Sequence, residues 1–180
     1  MKLFQASSPN VEVNGETVHS VIDGMGAFKS TAVKILAENG IDNPQPGMWY
    51  KQQAWLNSFK KISEQVGSST LNAIGQKIPE NAKFPPEIDD IFKALSAIDI
   101  AYHMNHRNGD IGNYKFQKID EKNAKIICNN PYPDEFDKGI ITAMARRFKP
   151  STSIGVKVNI DESQPVRTKG GDSTTFIVSW

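Results

Sequence analysis

Residues 129–148 read NNPYPDEFDKGIITAMARRF, and the reading of this stretch decides the fold. Pro131 and Pro133 disfavour helix at Asn130 and Tyr132, the residues before them. Asp134, Glu135 and Asp137 follow where a helix N-terminus favours negative charge. Phe136, Ile140, Met144 and Phe148 recur at spacings of four, so one face of the helix is apolar. Arg146, Arg147 and Lys149 suit its far end, and Lys149-Pro150 stops it.

Alternating segments flank this helix on both sides. Upstream, Tyr114 and Phe116 alternate with polar residues, residues 120–123 turn, and Ala124, Ile126 and Cys128 share one face of the return strand. Downstream, Ile154, Val156, Val158 and Ile160 alternate with Gly155, Lys157 and Asn159. Residues 169–172 (KGGD) then turn into Thr174, Phe176, Val178 and Trp180. Period-two patterns of this kind predict half-buried strands. The helix is therefore expected to lie on an antiparallel sheet made by the last two hairpins.

The first half of the chain reads as helices. The longest spans 87–106, with Ile88, Ile91, Phe92, Leu95, Ile98 and Tyr102 as its stripe. Before it come a helix over 49–66 (Trp55, Phe59, Ile62, Val66) and a short one carrying Leu71, Ile74 and Ile78. Residues 79–86 read as an irregular crossing. A helix over 27–39 buries Phe28, Ala32, Ile35 and Leu36, with Gly40 at its end. Asn14-Gly15 tolerates positive φ at both positions, which predicts a β-hairpin over 11–22. The linker 42–47 (DNPQPG) separates an N-terminal element, 1–47, from the main unit, 48–180. Segregated helices and antiparallel strands make the class α+β: a helical layer on a sheet of C-terminal hairpins.

Composition narrows the function classes. The net charge of +1 over 180 residues offers no bulk attraction for nucleic acid. No stretch approaches the length of a membrane span. Cys128 is the single cysteine, which points to a reducing compartment, and the cytoplasm is expected.

Few residues suggest chemistry. His103 and His106 lie three apart near the end of the long helix, with Asp99 four before His103. Such a pair can bind metal, but two ligands without a third are weak, and a wet helix end accounts for both. His19 is expected to face water. Cys128, on an alternating strand, reads as a small buried hydrophobe rather than a nucleophile. No nucleophile elbow, zinc-protease or dinucleotide motif is present, so an enzyme ranks low. The dense aromatics Trp49, Tyr50, Trp55 and Phe59 favour a hydrophobic pocket between helices.

The segments IDIAYHMNHRNGDIG (98–112), NPYPDEF (130–136), GIITAMARRF (139–148) and VRTKGGDSTTFIVSW (166–180) resemble, in order and topology, one superfamily. It contains the heme nitric-oxide/oxygen-binding (H-NOX) sensor domains, the 4-vinyl-reductase-type small-molecule-binding domains and the TRAPP subunits of Golgi transport. The resemblance covers about residues 49–180. It implies a ligand-binding module: a cytosolic sensor-type domain holding a small apolar ligand between helices and sheet. Trp55, Phe59, Tyr102, His103, Cys128 and Met144 are its expected lining. The rival expectation is a non-enzymatic protein-interaction module of the TRAPP type, able to pair as a homodimer.

The resemblance implies a heme ligand in the long helix, and His103 is the nearest match. The H-NOX Tyr-x-Ser-x-Arg motif that holds the propionates is missing around residues 127–131. The 4-vinyl-reductase type carries cysteines in its terminal hairpin, where this chain has Val166 and Thr174. On these grounds heme is disfavoured and no metal is expected.

Overall fold

The computed structural model describes residues 1–180. The chain begins with β1 (Glu12–Asn14), α1 (Gly15–Gly24), a 3-10 turn at Gly26–Phe28, and α2 (Lys29–Glu38). It continues through β2 (Trp49–Lys51), α3 (Gln52–Gln65), α4 (Ser68–Asn81), α5 (Ile91–Met104) and β3 (His106–Arg107). The last part is β4 (Asn113–Lys118), β5 (Asn123–Asn129), α6 (Asp134–Phe148), β6 (Lys157–Ile160), a second 3-10 turn and β7 (Thr174–Ser179).

The larger sheet has the order β4-β5-β7-β6, antiparallel throughout. Its inner face presents Tyr114, Ala124, Ile126, Cys128, Phe176, Val178 and Val158, all buried. α5 and α6 pack on that face, as the sequence led us to expect of an α+β fold. Phe136, Ile140 and Met144 of α6 are buried in the expected register. α6 in turn packs tightly on α4. A β-carbon on Gly75 would collide with the Phe136 carbonyl, and one on Gly139 with the Asn72 carbonyl. The two backbones meet there without side chains between them. Ile154 departs from the expected register: it is fully exposed, because β6 begins only at Lys157.

A second sheet, with the order β2-β1-β3, corrects the reading of the N-terminus. Residues 11–22 form a strand and then a helix, not a hairpin. The physical reason lies in Asn14. Its side chain accepts a hydrogen bond from the Thr17 N–H at 3.0 Å, so it caps a helix instead of turning a hairpin. Val18, Val21 and Ile22 then fall on one buried helical face. β1 finds its partners far away: Val13 pairs with Tyr50 on one side and with His106 on the other.

Other boundaries shift. Trp49 sits in β2, so α3 starts three residues later than expected. α4 runs through Pro79 to Asn81. α5 starts at Ile91, because the Asp90 side chain caps it through the Lys93 N–H, and Glu87 lies outside with φ of 66°. Phe28, expected in the core, is half exposed at the head of α2. No helix is long and apolar enough to cross a membrane.

Candidate functional site

The end of α5 is where the two candidate histidines part company. The helix stops at Met104, with Asn105 as its cap. His103, still on the helix, points outward. Its side chain is 53% exposed, and its Nδ1 lies 2.9 Å from the Asp99 carbonyl. His106 belongs to β3 and is drawn inward by pairing with Val13 of β1. It is buried. The strand pairing, invisible as a local pattern, thus puts into the core a residue that sequence reading left at a wet helix end. The two imidazoles diverge and share no metal position.

His106 is held at both nitrogens. Nδ1 lies 2.8 Å from the Tyr102 carbonyl, and Nε2 lies 2.6 Å from the Tyr132 hydroxyl. A carbonyl can only accept, so Nδ1 carries the proton and Nε2 offers its lone pair to the Tyr132 O–H. Burial pushes the imidazole down to about 4, so the ring is neutral near pH 7. The Tyr132 hydroxyl accepts a second bond from Gln52 Nε2 at 3.2 Å. Burial pushes this phenol up, against the pull of the Gln52 hydrogen bond.

These groups line a small, partly open cavity between the helices and β4. Its free volume is about 30 Å³, on the order of one or two water molecules. α1 contributes Thr17, α3 contributes Trp55, and α5 contributes Ile98, Ala101 and Tyr102. Tyr114 of β4, Tyr132 of the β5–α6 turn, Phe136 and Ile140 of α6, and Ala82 and Phe84 after α4 complete the wall. Two buried polar atoms of this lining, the Thr17 hydroxyl and the Trp55 indole N–H, have no hydrogen-bond partner. Such groups are costly to leave unpaired, and a bound molecule with a polar end would satisfy them.

The outer wall is pinned by Asn105. Its side chain accepts from the Lys83 N–H at 3.0 Å and donates to the Lys83 carbonyl at 2.7 Å, so it clasps residues 82–84 at both polar groups. Asn14 donates to the same amide oxygen at 2.6 Å.

Of the expected lining residues, the structure brings Trp55 and Tyr102 to the cavity. Phe59 stands behind Trp55, with ring centroids 4.6 Å apart. Cys128, on β5 beside Tyr114 of β4, does not line the cavity, and burial pushes its thiol up, so it carries no thiolate. Met144 borders a different, shallow groove with Phe84 and Phe148. His103 lies outside the cavity. The wall residues missed in the sequence are His106, Tyr132, Tyr114 and Thr17. Only the density of aromatics between 102 and 136 hinted at them.

Beneath the cavity lies a buried ion cluster. Arg167 Nη2 lies 2.6 Å from both Asp134 Oδ1 and Asp137 Oδ2, and its Nη1 donates to the Asn130 side chain at 2.5 Å. Burial pushes the Asp137 carboxyl up despite Arg167. Burial opposes the charge on Arg167 too, but the two carboxylates outweigh it and raise its basicity. Arg167 is a further residue the sequence did not flag, because its carboxylate partners lie thirty or more positions earlier.

No family model matches this sequence, and no curated protein matches it either. Solved structures do. An H-NOX protein from S. oneidensis in the Fe(II) ligation state is 12% identical, with a TM-score of 0.67 over 92% of this chain and 95% of that one. An H-NOX protein from S. oneidensis in the Fe(II)NO state is 11% identical, with a TM-score of 0.64 over 92% and 98%. A structure determined to study heme redox potential through porphyrin distortion is 12% identical, with a TM-score of 0.63 over 93% and 95%. The fold is H-NOX-like.

That likeness corrects the argument against heme. The structures sharing this fold include proteins solved with Fe(II), with NO and with a distorted heme porphyrin. The expectation that heme is disfavoured is therefore corrected by these neighbours. The donor chemistry here fits such a group: a buried neutral imidazole, oriented by a carbonyl on its far nitrogen, inside an apolar wall. The space does not: about 30 Å³ is far short of a porphyrin, and no lysine or arginine side chain lines the cavity to meet its propionates.

Proposed function

We propose that this chain is a small-molecule sensor domain, with heme as its cofactor and His106, rather than His103, as the axial ligand. The observation that carries the reading is the placement of His106. It is the buried histidine whose ring faces the cavity, it is neutral, and its Nδ1–H is already engaged by the Tyr102 carbonyl. A metal-binding imidazole needs this arrangement at its far nitrogen.

When bound, heme would supply an iron able to take a diatomic ligand. The chain's own residues do the rest. Tyr102 fixes the imidazole plane. Ile98, Ala101, Phe136 and Ile140 keep the site dry. Thr17 and Trp55 hold unpaired polar groups on the cavity wall, available to the polar end of a sensed molecule.

Hemin titration followed by visible absorption tests this. The expected result is a saturable Soret band at one hemin per chain, lost in His106→Ala and kept in His103→Ala. A titration with no saturable band, or a band indifferent to His106→Ala, would count against the reading.

A further inference from the structure

The polar groups of the cavity wall divide into engaged and free. The Tyr102 hydroxyl donates to the Ile111 carbonyl at 2.6 Å, and the Tyr114 hydroxyl donates to Asp137. The Asn105 amide is held by Lys83 and Asn14, and it also donates to the Ala101 carbonyl at 2.7 Å. His106 is engaged at both nitrogens, and the Tyr132 hydroxyl is occupied by His106 and Gln52. That leaves the Thr17 hydroxyl and the Trp55 indole N–H. Trp55 is fully buried and Thr17 is 5% exposed, so neither group meets bulk solvent.

The rest of the wall is apolar and holds no aspartate, glutamate, lysine or arginine, so an ion would find no counter-charge there. The free space of about 30 Å³ admits roughly two or three bonded non-hydrogen atoms. A water molecule fits as well, but it seeks roughly two to four polar partners, and the open ones here are Thr17 and Trp55. One oxygen on a short alkyl group uses both and sets its carbon against Ile98, Ala101, Phe136 and Ile140.

We propose that this cavity, in the chain without heme, is a binding site for a neutral short-chain alcohol of the size of methanol or ethanol. Its oxygen accepts from the Trp55 indole N–H and exchanges a hydrogen bond with the Thr17 hydroxyl. The proposal rests on the reading of the cavity as the site of a small-molecule sensor and names the ligand class; it does not rest on heme. The indole can only donate, which is why the ligand must bring an acceptor.

The test titrates hemin-free protein with methanol, ethanol and 1-butanol while nitrogen–proton NMR follows the indoles of Trp49, Trp55 and Trp180. The ceiling on affinity per atom puts the Kd of so small a ligand at about millimolar at best. The Trp55 indole should shift saturably with methanol and ethanol, while Trp49 and Trp180 drift linearly as solvent changes. 1-Butanol, too long for the space, should give no saturable shift. Thr17→Val keeps the side-chain shape and the backbone N–H that Asn14 caps, and removes the hydroxyl. It should weaken ethanol about fivefold to tenfold, on the scale of one hydrogen bond. Linear drift of all three indoles in wild type overturns the proposal. So does 1-butanol bound as tightly as ethanol, or equal ethanol affinity in Thr17→Val. The axial role of His106 is decided separately by the hemin titration, so either reading can fail while the other stands.

Discussion

The Tyr114 hydroxyl donates to Asp137 Oδ1 at 2.5 Å, while the Tyr114 ring lines the cavity. One side chain thus joins the cavity to the buried Arg167 cluster. Asp137 takes Tyr114 on one oxygen, and Asn130 and Arg167 on the other.

That cluster should be a point of high sensitivity. Arg167→Leu leaves two buried carboxylates without a cation. Breaking a buried pair in this way costs roughly 3–5 kcal/mol. Urea unfolding should show the loss. Wild-type stability in Arg167→Leu would mean that the cluster is hydrated rather than buried.

Asn105 should govern access to the cavity. Asn105→Ala removes both hydrogen bonds to Lys83. The amide of Lys83 should then exchange with solvent at least about tenfold faster, on the scale of one or two lost hydrogen bonds. Hydrogen-exchange mass spectrometry over 82–90 reads this directly. Unchanged exchange would show that the segment is held by its apolar contacts alone.

The close crossing of α4 and α6 should tolerate no added atoms. Gly75→Ala or Gly139→Ala drives a β-carbon into a facing carbonyl. The expected cost is about 1–3 kcal/mol for each, measured by denaturant midpoint at constant slope. Additive costs would mean the two glycines act separately. Because they face each other, the double variant should fall off the sum.

His106 gives a pH dependence with a definite sign. Its ordinary value of 6.5 falls to about 4 on folding. Above 6.5 both states are neutral, and the full stability is present. As the pH drops below 6.5 the unfolded chain takes up a proton that the folded chain refuses, so stability declines until about pH 4. The decline over this window is roughly 3 kcal/mol. The groups packed on the ring are Tyr102 and Tyr132, which stay protonated throughout, and the nearest other imidazole is His103. His106→Gln should remove this slope while leaving that of the surface carboxylates. A wild-type slope in the variant would place the titrating group elsewhere.

The larger sheet and the helices on it were legible because they repeat a local pattern. Phe136-Ile140-Met144 and Ala124-Ile126-Cys128 are each buried on the face their period assigns. The N-terminal hairpin was not legible, because Asn14-Gly15 suits both a tight turn and a helix cap. Only distant partners, Tyr50 and His106, decide between them. The same long-range pairing hid the site. Nothing near position 106 in the sequence says that β1 will pull this histidine inward while His103, three residues earlier, stays in water. Arg167 was equally silent, since a lone arginine in a polar turn carries no sign of the two aspartates that await it.

The most direct test is a structure of the protein loaded with hemin. One porphyrin per chain, held through His106 Nε2, is the result expected. Iron bound instead by His103 on the outer face of α5, with the Tyr132–His106 hydrogen bond intact, would contradict it.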